Sequence, residues 1–105
     1  MSITEPIRDK ATLRQLADYF LIRGQLRNHA LLIVGVHTAL RVSDLLGLRW
    51  RDVYDEDQGA FRSHITLREK KTGKPKIIAL NRYALKALRL YFPDRRGEYI
   101  FVNRV

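Results

Sequence analysis

The amino-acid sequence predicts an α+β fold, in which a small helical bundle carries a β-hairpin or a three-stranded antiparallel sheet on one side. Apolar residues recur at helical spacing in the first fifty residues and again after residue 81. Residues 61–67 instead alternate as a strand does, and residues 76–80 supply a partner strand beyond a connection that contains Gly73 and Pro75. With 105 residues, 46% of them hydrophobic, we expect one domain over 1–105 with its own core, and a flexible arm over 1–8.

The first half of the chain predicts three helices. An amphipathic helix is expected from about Asp9 to Gly24, and a second from about 29 to 39, capped by Asn28. Residues 30–36 are apolar on every face, which is typical of a helix that is packed on all sides. The chain then breaks at Arg41, and a short helix capped by Ser43 leads to Trp50, which we interpret as a core anchor.

The second half begins with an acidic turn at 55–59, which we interpret as solvated, and continues into the two strands. Asn81 is predicted to cap a helix that Pro93 ends. Its inward residues are expected to be Ala84, Leu88, Tyr91 and Phe92. The apolar residues 99–102 are a candidate for completing the sheet. Most tyrosines lie on apolar faces or strands and are predicted to be core residues, namely Tyr19, Tyr83, Tyr91 and Tyr99.

The composition favours a polyanionic partner. Twenty Lys and Arg residues against eleven Asp and Glu give a formal charge of +9 and a pI near 10.4, which is typical of a nucleic-acid-binding domain. A nucleic acid is therefore the expected partner, although such charge can also serve solubility or attract an anionic membrane. The sequence has no cysteine, no long apolar run and no signal pattern, so we expect a cytoplasmic protein without a membrane span. The histidines lack metal-ligand spacing, and no metal or cofactor is expected.

Arg41 and two groups of basic residues are candidate binding sites. Arg41 presents planar paired donors that match a phosphate, or it caps the carbonyls that end the preceding helix, or it pairs with Asp44. Four lysines surround the hairpin turn, where they either neutralise a phosphate backbone or keep an exposed strand edge from pairing with other chains. They are Lys70, Lys71, Lys74 and Lys76. A basic stripe of Arg82, Lys86 and Arg89 on the last helix is a further candidate for DNA binding.

Residues 38–50 follow a recognisable pattern: a small residue, then Leu and Arg41, an aliphatic residue, Ser, the acidic Asp44, two leucines and finally Leu-x-Trp. This pattern resembles the first arginine motif of the tyrosine recombinases, the phage integrase family. The resemblance implies that Arg41 is the first catalytic arginine, which binds the scissile phosphate, and that Asp44 supports the site. Lys71-Thr72-Gly73 is similar to the family's hairpin motif, which implies that Lys71 is the acid that protonates the leaving 5′-hydroxyl, with Lys74 as the second choice. This chemistry needs no metal and no nucleotide.

The same resemblance implies a later His-x-x-Arg motif and a tyrosine nucleophile, and neither is found in these 105 residues. Each histidine has Leu three residues on, and no tyrosine has the setting expected of the nucleophile. We therefore expect the N-terminal portion of a catalytic domain, which binds duplex DNA, associates with other recombinase subunits and is inactive alone. The alternatives are a non-catalytic DNA-binding module or regulator derived from an integrase, and an RNA-binding or protein-interaction domain.

Overall fold

The computed structural model describes residues 10–68 and 72–102, which form five helices and two small antiparallel sheets of two strands each. This confirms the α+β class. The helices are α1 (Lys10–Ile22), α2 (Leu26–Thr38), α3 (Val42–Leu46), α4 (Trp50–Val53) and α5 (Arg82–Tyr91), the last followed by a 3-10 turn (Phe92–Asp94). The strands are β1 (Tyr54–Asp55), β2 (Ala60–Phe61), β3 (His64–Arg68) and β4 (Pro75–Ala79). No helix in the described ranges is long and apolar enough to cross a lipid bilayer.

Helices α2 and α5 pack against each other at the centre of the fold and run antiparallel. His37, in the last turn of α2, stacks on Tyr83 in the first turn of α5. At the other end, the first residues of α2 line a cleft together with Tyr91, the last residue of α5. The helix pair therefore has one end at the His37–Tyr83 stack and the other at the cleft. Arg41 lies shortly after the last residue of α2, at the His37–Tyr83 end.

The main core lies around this helix pair and includes the residue predicted to anchor it. Trp50 is buried, and its ring centroid lies 5.8 Å from that of Tyr91 and 5.2 Å from that of Phe92. The buried hydrophobic residues of this cluster are Ala30, Val34, Leu40, Leu45, Leu48, Trp50, Val53, Ile65, Leu80, Ala84, Ala87, Leu88, Tyr91, Ile100 and Phe101. All come from α2 or later elements, so α1 lies at the edge of the fold and buries only Ala17.

Two predictions of buried residues were wrong. Only His29, Ala30 and Val34 of α2 are buried, and Val36 is 46% exposed, because the described elements cover one side of the helix and leave the other open. Of the four tyrosines expected in the core, only Tyr91 is buried. Tyr19, Tyr83 and Tyr99 are 47%, 49% and 41% exposed, since a phenol ring can pack along a surface while its hydroxyl stays in water.

The helix starts also differ from the prediction. Helix α2 has Gln25 at its N-cap position, because Gly24, at φ 70°, lets the chain turn directly after α1; Asn28 lies inside the first turn. Helix α3 begins at Val42, so Arg41, rather than Ser43, occupies the N-cap position. The cap of α5 is as predicted: Asn81 Oδ1 accepts a hydrogen bond from the Ala84 backbone N–H at 2.9 Å.

The β-hairpin is confirmed, whereas its extension to three strands is not. Strands β3 and β4 pair from His64 with Ala79 to Arg68 with Pro75. Residues 99–102 lie elsewhere, because Tyr99 forms a bridge with Arg49 and the Ile100 N–H donates to the Leu48 carbonyl at 3.1 Å. The acidic turn at 55–59 joins β1 to β2, a second small hairpin that the sequence did not predict.

Candidate functional site

Arg41 follows a tight turn that begins where α2 ends. Ala39 adopts the left-handed conformation, at φ 57° and ψ 23°, and its N–H donates to the Gly35 carbonyl at 3.0 Å. Leu40 is buried, and Arg41 then has extended backbone as the N-cap residue of α3. A left-handed residue other than glycine costs about 1–2 kcal/mol, and surrounding packing must hold it in place. The backbone of Arg41 is therefore fixed between the buried Leu40 and the buried Leu45.

The side chain of Arg41 is exposed and makes no hydrogen bond or ion pair with any residue in 10–68 or 72–102. Within the described residues, Arg41 therefore neither caps the α2 carbonyls nor pairs with Asp44, which were the two alternatives from the sequence. Asp44 lies in the first turn of α3 and is half-buried, and its carboxylate likewise has no partner there. The turn thus fixes the backbone position of an arginine whose paired donors are not used by any residue of the described ranges.

A polar cluster that the sequence did not predict joins α2 to α5 near this turn. His37 stacks on Tyr83 with ring centroids 5.0 Å apart and planes at 17°, and its Nδ1 lies 3.0 Å from Asn81 Nδ2. Arg82 Nη2 donates to the Tyr83 hydroxyl at 2.9 Å. The only sequence signal was a histidine at the end of an apolar run, because residues 37 and 81 come together only in the fold.

The hairpin tip is only partly described. Lys70 and Lys71, the residues predicted to bind DNA and to act as the acid, lie outside the described residues. Lys74 and Lys76 are both exposed. The tip turns at Gly73, whose φ is 70°, and its carbonyl accepts a hydrogen bond from Arg68 Nη1 at 3.0 Å. A positive residue on β3 therefore adds to the charge of the lysines at the tip.

The basic stripe of α5 lies on the exposed side of that helix, as predicted. Arg82, Lys86 and Arg89 are exposed, while the opposite side buries Ala84, Ala87, Leu88 and Tyr91. Arg82 lies against Tyr83, and the guanidinium carbon of Arg89 is 5.6 Å from the Phe61 ring centroid. These aromatic contacts reduce the freedom of the two arginines without neutralising their charge.

A second basic region lies at the opposite end of the helix pair. A cleft of about 920 Å³ lies between the turn before α2 and the turn after α5. Its lining includes four arginines and a single acid, Asp94; the arginines are Arg23, Arg27, Arg95 and Arg96. Arg27 donates to the Val102 carbonyl at 2.7 Å and to Asn28 Oδ1 at 3.0 Å, so part of its hydrogen-bonding capacity serves the fold.

The described residues contain no group of three or more His, Asp or Glu side chains that could hold a metal ion. His29 is buried, and its Nδ1 has no hydrogen-bond partner among residues 10–68 and 72–102. Burial lowers the pKa of His29, and the charge of Asp18 opposes this effect. Because the imidazole is enclosed and favours its neutral form, we interpret His29 as a core residue.

An α+β domain with an exposed arginine at the end of α2 and a basic stripe on α5 has the charge pattern of a nucleic-acid-binding protein. Comparison with known proteins gives the family. The chain belongs to the phage integrase family, because the model of that family matches residues 9–105. Members of this family act on DNA, so family membership implies DNA as the general partner.

A curated relative agrees with this assignment. The chain is 31% identical over 102 residues to the probable integrase/recombinase YoeC of Bacillus subtilis (strain 168). The aligned part covers 96% of this chain and 52% of that protein, so the chain spans about half the length of its relative. No solved structure shows a significant match.

Proposed function

We propose that this chain is the DNA-binding portion of a site-specific tyrosine recombinase or integrase, which cuts and rejoins DNA strands by phosphoryl transfer. In this proposal, Arg41 binds the scissile phosphate, and Asp44 supports the site from the first turn of α3. Lys71 protonates the leaving 5′-hydroxyl oxygen, with Lys74 as the alternative acid.

The proposal rests on one observation: the Arg41 side chain is exposed and has no described partner, while its backbone is held on both sides. A guanidinium has five donors in one plane and matches two phosphate oxygens at once. Arg41 is exposed and has no hydrogen-bond or ion-pair partner among the described residues, while its backbone lies between the buried Leu40 and Leu45. An arginine whose backbone is held and whose donors are not used by the described residues is suited to bind an anion at a defined place on the surface.

Phosphoryl transfer requires a different role from Arg41 than from the hairpin lysine. Arg41 would offset the negative charge that develops on the transferring phosphoryl group, a type of contact that is worth about 10³–10⁵ in rate in other phosphoryl transfers. The lysine must approach the leaving oxygen to within about 3 Å in order to pass its proton. An acid on a hairpin tip fits the second task, because a hairpin reaches beyond the body of the domain.

The remaining basic residues would contact the phosphate backbone on either side of the cleavage point. They are Lys70, Lys74, Lys76, Arg82, Lys86 and Arg89. Such contacts set affinity and register and read no sequence. Because the 105 residues contain neither His-x-x-Arg nor a tyrosine in the setting of the nucleophile, we expect this chain alone to bind duplex DNA without cleaving it.

The test is the affinity for a labelled duplex of about 20 base pairs, measured by fluorescence anisotropy at several salt concentrations. If six basic residues contact phosphates, affinity falls about 10³-fold between 50 and 200 mM salt. Arg41→Gln should weaken binding about 10- to 100-fold at low salt, because a charge-assisted bidentate contact is lost. Affinity that is independent of salt would contradict the proposal.

A matched control separates the role of Arg41 from that of net charge. Arg14 is exposed on α1 and, like Arg41, makes no hydrogen bond or ion pair with any described residue. Arg14→Gln changes the charge by the same amount and should alter affinity by about twofold or less. Equal losses in the two variants would show that Arg41 contributes only to the overall field.

The second candidate function is a non-catalytic DNA-binding module or regulator derived from an integrase. The basic, exposed residues that favour it serve DNA binding without any reacting group, namely Arg82, Lys86 and Arg89 on α5. Supplying the C-terminal half of a family member in trans, with a nicked duplex that traps the covalent phosphotyrosyl product, distinguishes the two. Restored cleavage that depends on Arg41 supports the recombinase, and DNA binding without cleavage supports the regulator.

A further inference from the structure

The hydrogen bonds of Asn81 fix the orientation of its side-chain amide. Its Oδ1 accepts from the Ala84 backbone N–H at 2.9 Å, and its Nδ2 lies 3.0 Å from His37 Nδ1. A backbone N–H can only donate, so the atom that faces Ala84 must be the amide oxygen. The atom that faces His37 is therefore the amide nitrogen, which can only donate.

This orientation sets the tautomer of His37. Because Asn81 donates, His37 Nδ1 must accept and carries no proton, so the proton of the neutral ring is on Nε2. The side chain is exposed, and no described residue pairs with Nε2. The ring also stacks on Tyr83, which fixes the plane in which the N–H points. His37 thus presents one oriented donor to solvent.

Arg82 is held against the same tyrosine. Its Nη2 donates to the Tyr83 hydroxyl at 2.9 Å, and its guanidinium carbon lies 4.9 Å from the ring centroid. This hydrogen bond uses one of the five donors, and Arg82 forms no ion pair with an acid in the described ranges. One tyrosine ring therefore orients a cation and a neutral donor together, and such a pair is suited to a phosphate oxygen.

We propose that His37, through Nε2–H, and Arg82 together bind a phosphodiester group of the DNA next to the phosphate bound by Arg41. The proposal rests on the proposed function, since it assumes DNA at the end of α2 where Arg41 lies. His37 precedes Arg41 by four residues, across the turn at Ala39. The proposed role is to bind and position the duplex; neither residue touches the reacting atoms.

The tautomer can be measured directly. Long-range 1H–15N correlation spectra distinguish a protonated ring nitrogen from an unprotonated one, and His37→Phe assigns the His37 signals among the three histidines. At pH 8 we expect protonated Nε2 and unprotonated Nδ1 in the wild type. In Asn81→Ala, which removes the donor, we expect a mixture of both tautomers. A wild-type ring protonated on Nδ1 would overturn the inference.

Two substitutions test the contact with DNA. His37→Phe keeps a ring that stacks on Tyr83 but has no donor, and should weaken duplex binding about five- to tenfold, the effect of one lost hydrogen bond. His37→Gln has an oxygen that can accept from Asn81 and an N–H₂ that can donate outward, and should stay within about twofold of the wild type. Arg82→Gln should reduce the salt slope by about 0.9, the value for one phosphate contact.

A thermal unfolding curve of each variant separates binding from folding. If the cluster only ties α2 to α5, His37→Phe unfolds at lower temperature but binds DNA as the wild type does, which overturns the inference. If His37→Phe leaves affinity unchanged while Arg41→Gln weakens it, this inference fails and the proposed function survives. If neither variant changes affinity, this inference fails and so does the role of Arg41 in the proposed function.

Discussion

The left-handed Ala39 gives a stability prediction that can be worked out from the backbone alone. Its φ of 57° places Cβ close to the following carbonyl, which costs an L-residue about 1–2 kcal/mol. Glycine has no Cβ and avoids this cost, although it loses about 0.5–1 kcal/mol more conformational entropy on folding. We therefore expect Ala39→Gly to raise the free energy of unfolding by about 0.5–1 kcal/mol.

Urea denaturation followed by circular dichroism measures this difference, and thermal unfolding should show a midpoint about 2–8 °C higher for a domain of this size. Ala79→Gly is the matched control, because Ala79 is an exposed alanine in strand β4 and is absent from the positive-φ residues. That variant should be destabilised by a few tenths of a kcal/mol to about 1 kcal/mol. If Ala39→Gly is destabilised as much as Ala79→Gly, the turn before Arg41 is not strained.

Two further predictions concern a buried imidazole and the hairpin acid. Burial holds the pKa of His29 below its ordinary value of 6.5, so the unfolded chain takes up the proton first as pH falls, and stability should be full above about pH 6.5 and decrease below it. Urea midpoints at pH 8 and pH 5 should therefore differ less in His29→Gln than in the wild type, and an equal difference would contradict this cause. In a recombinase that also contains His-x-x-Arg and the nucleophile, Lys71→Ala should abolish cleavage of a nicked duplex with little loss of affinity. Cleavage that survives Lys71→Ala but not Lys74→Ala would transfer the acid role to Lys74.

Elements with strong local signals were predicted well from the sequence. Helix α1 follows from its apolar spacing, the β3–β4 hairpin from alternation around Gly73 and Pro75, and the start of α5 from a side-chain cap at Asn81. The break at Arg41 was also correctly placed. In each case the decisive interaction joins residues close in sequence, so a local pattern is sufficient to reveal it.

The sequence-based predictions were wrong or incomplete where backbone conformation, or a contact between residues distant in sequence, determines the structure. The N-cap residues of α2 and α3, Gln25 and Arg41, make no side-chain cap hydrogen bond, and the nearest Ser, Thr, Asp or Asn residues are Asn28 and Ser43, where the caps were predicted. Two-residue strands such as β1 and β2 are too short to show a period. The contact between His37 and Asn81 spans 44 residues, and no local pattern could have predicted it.

The segment after Gly97 has a consequence for how this domain reaches its native state. Ile100 and Phe101 are buried beside Leu48 and Trp50, and backbone hydrogen bonds join residues 98–100 to residues 48–50. These contacts span about fifty residues, which is nearly half of the chain. On the ribosome, the core around Trp50 therefore stays incomplete until this late segment has left the exit tunnel. Helices and hairpin can form earlier, but cooperative folding is expected to wait for Phe101, and the nascent chain would expose the apolar surface around Leu48 until then.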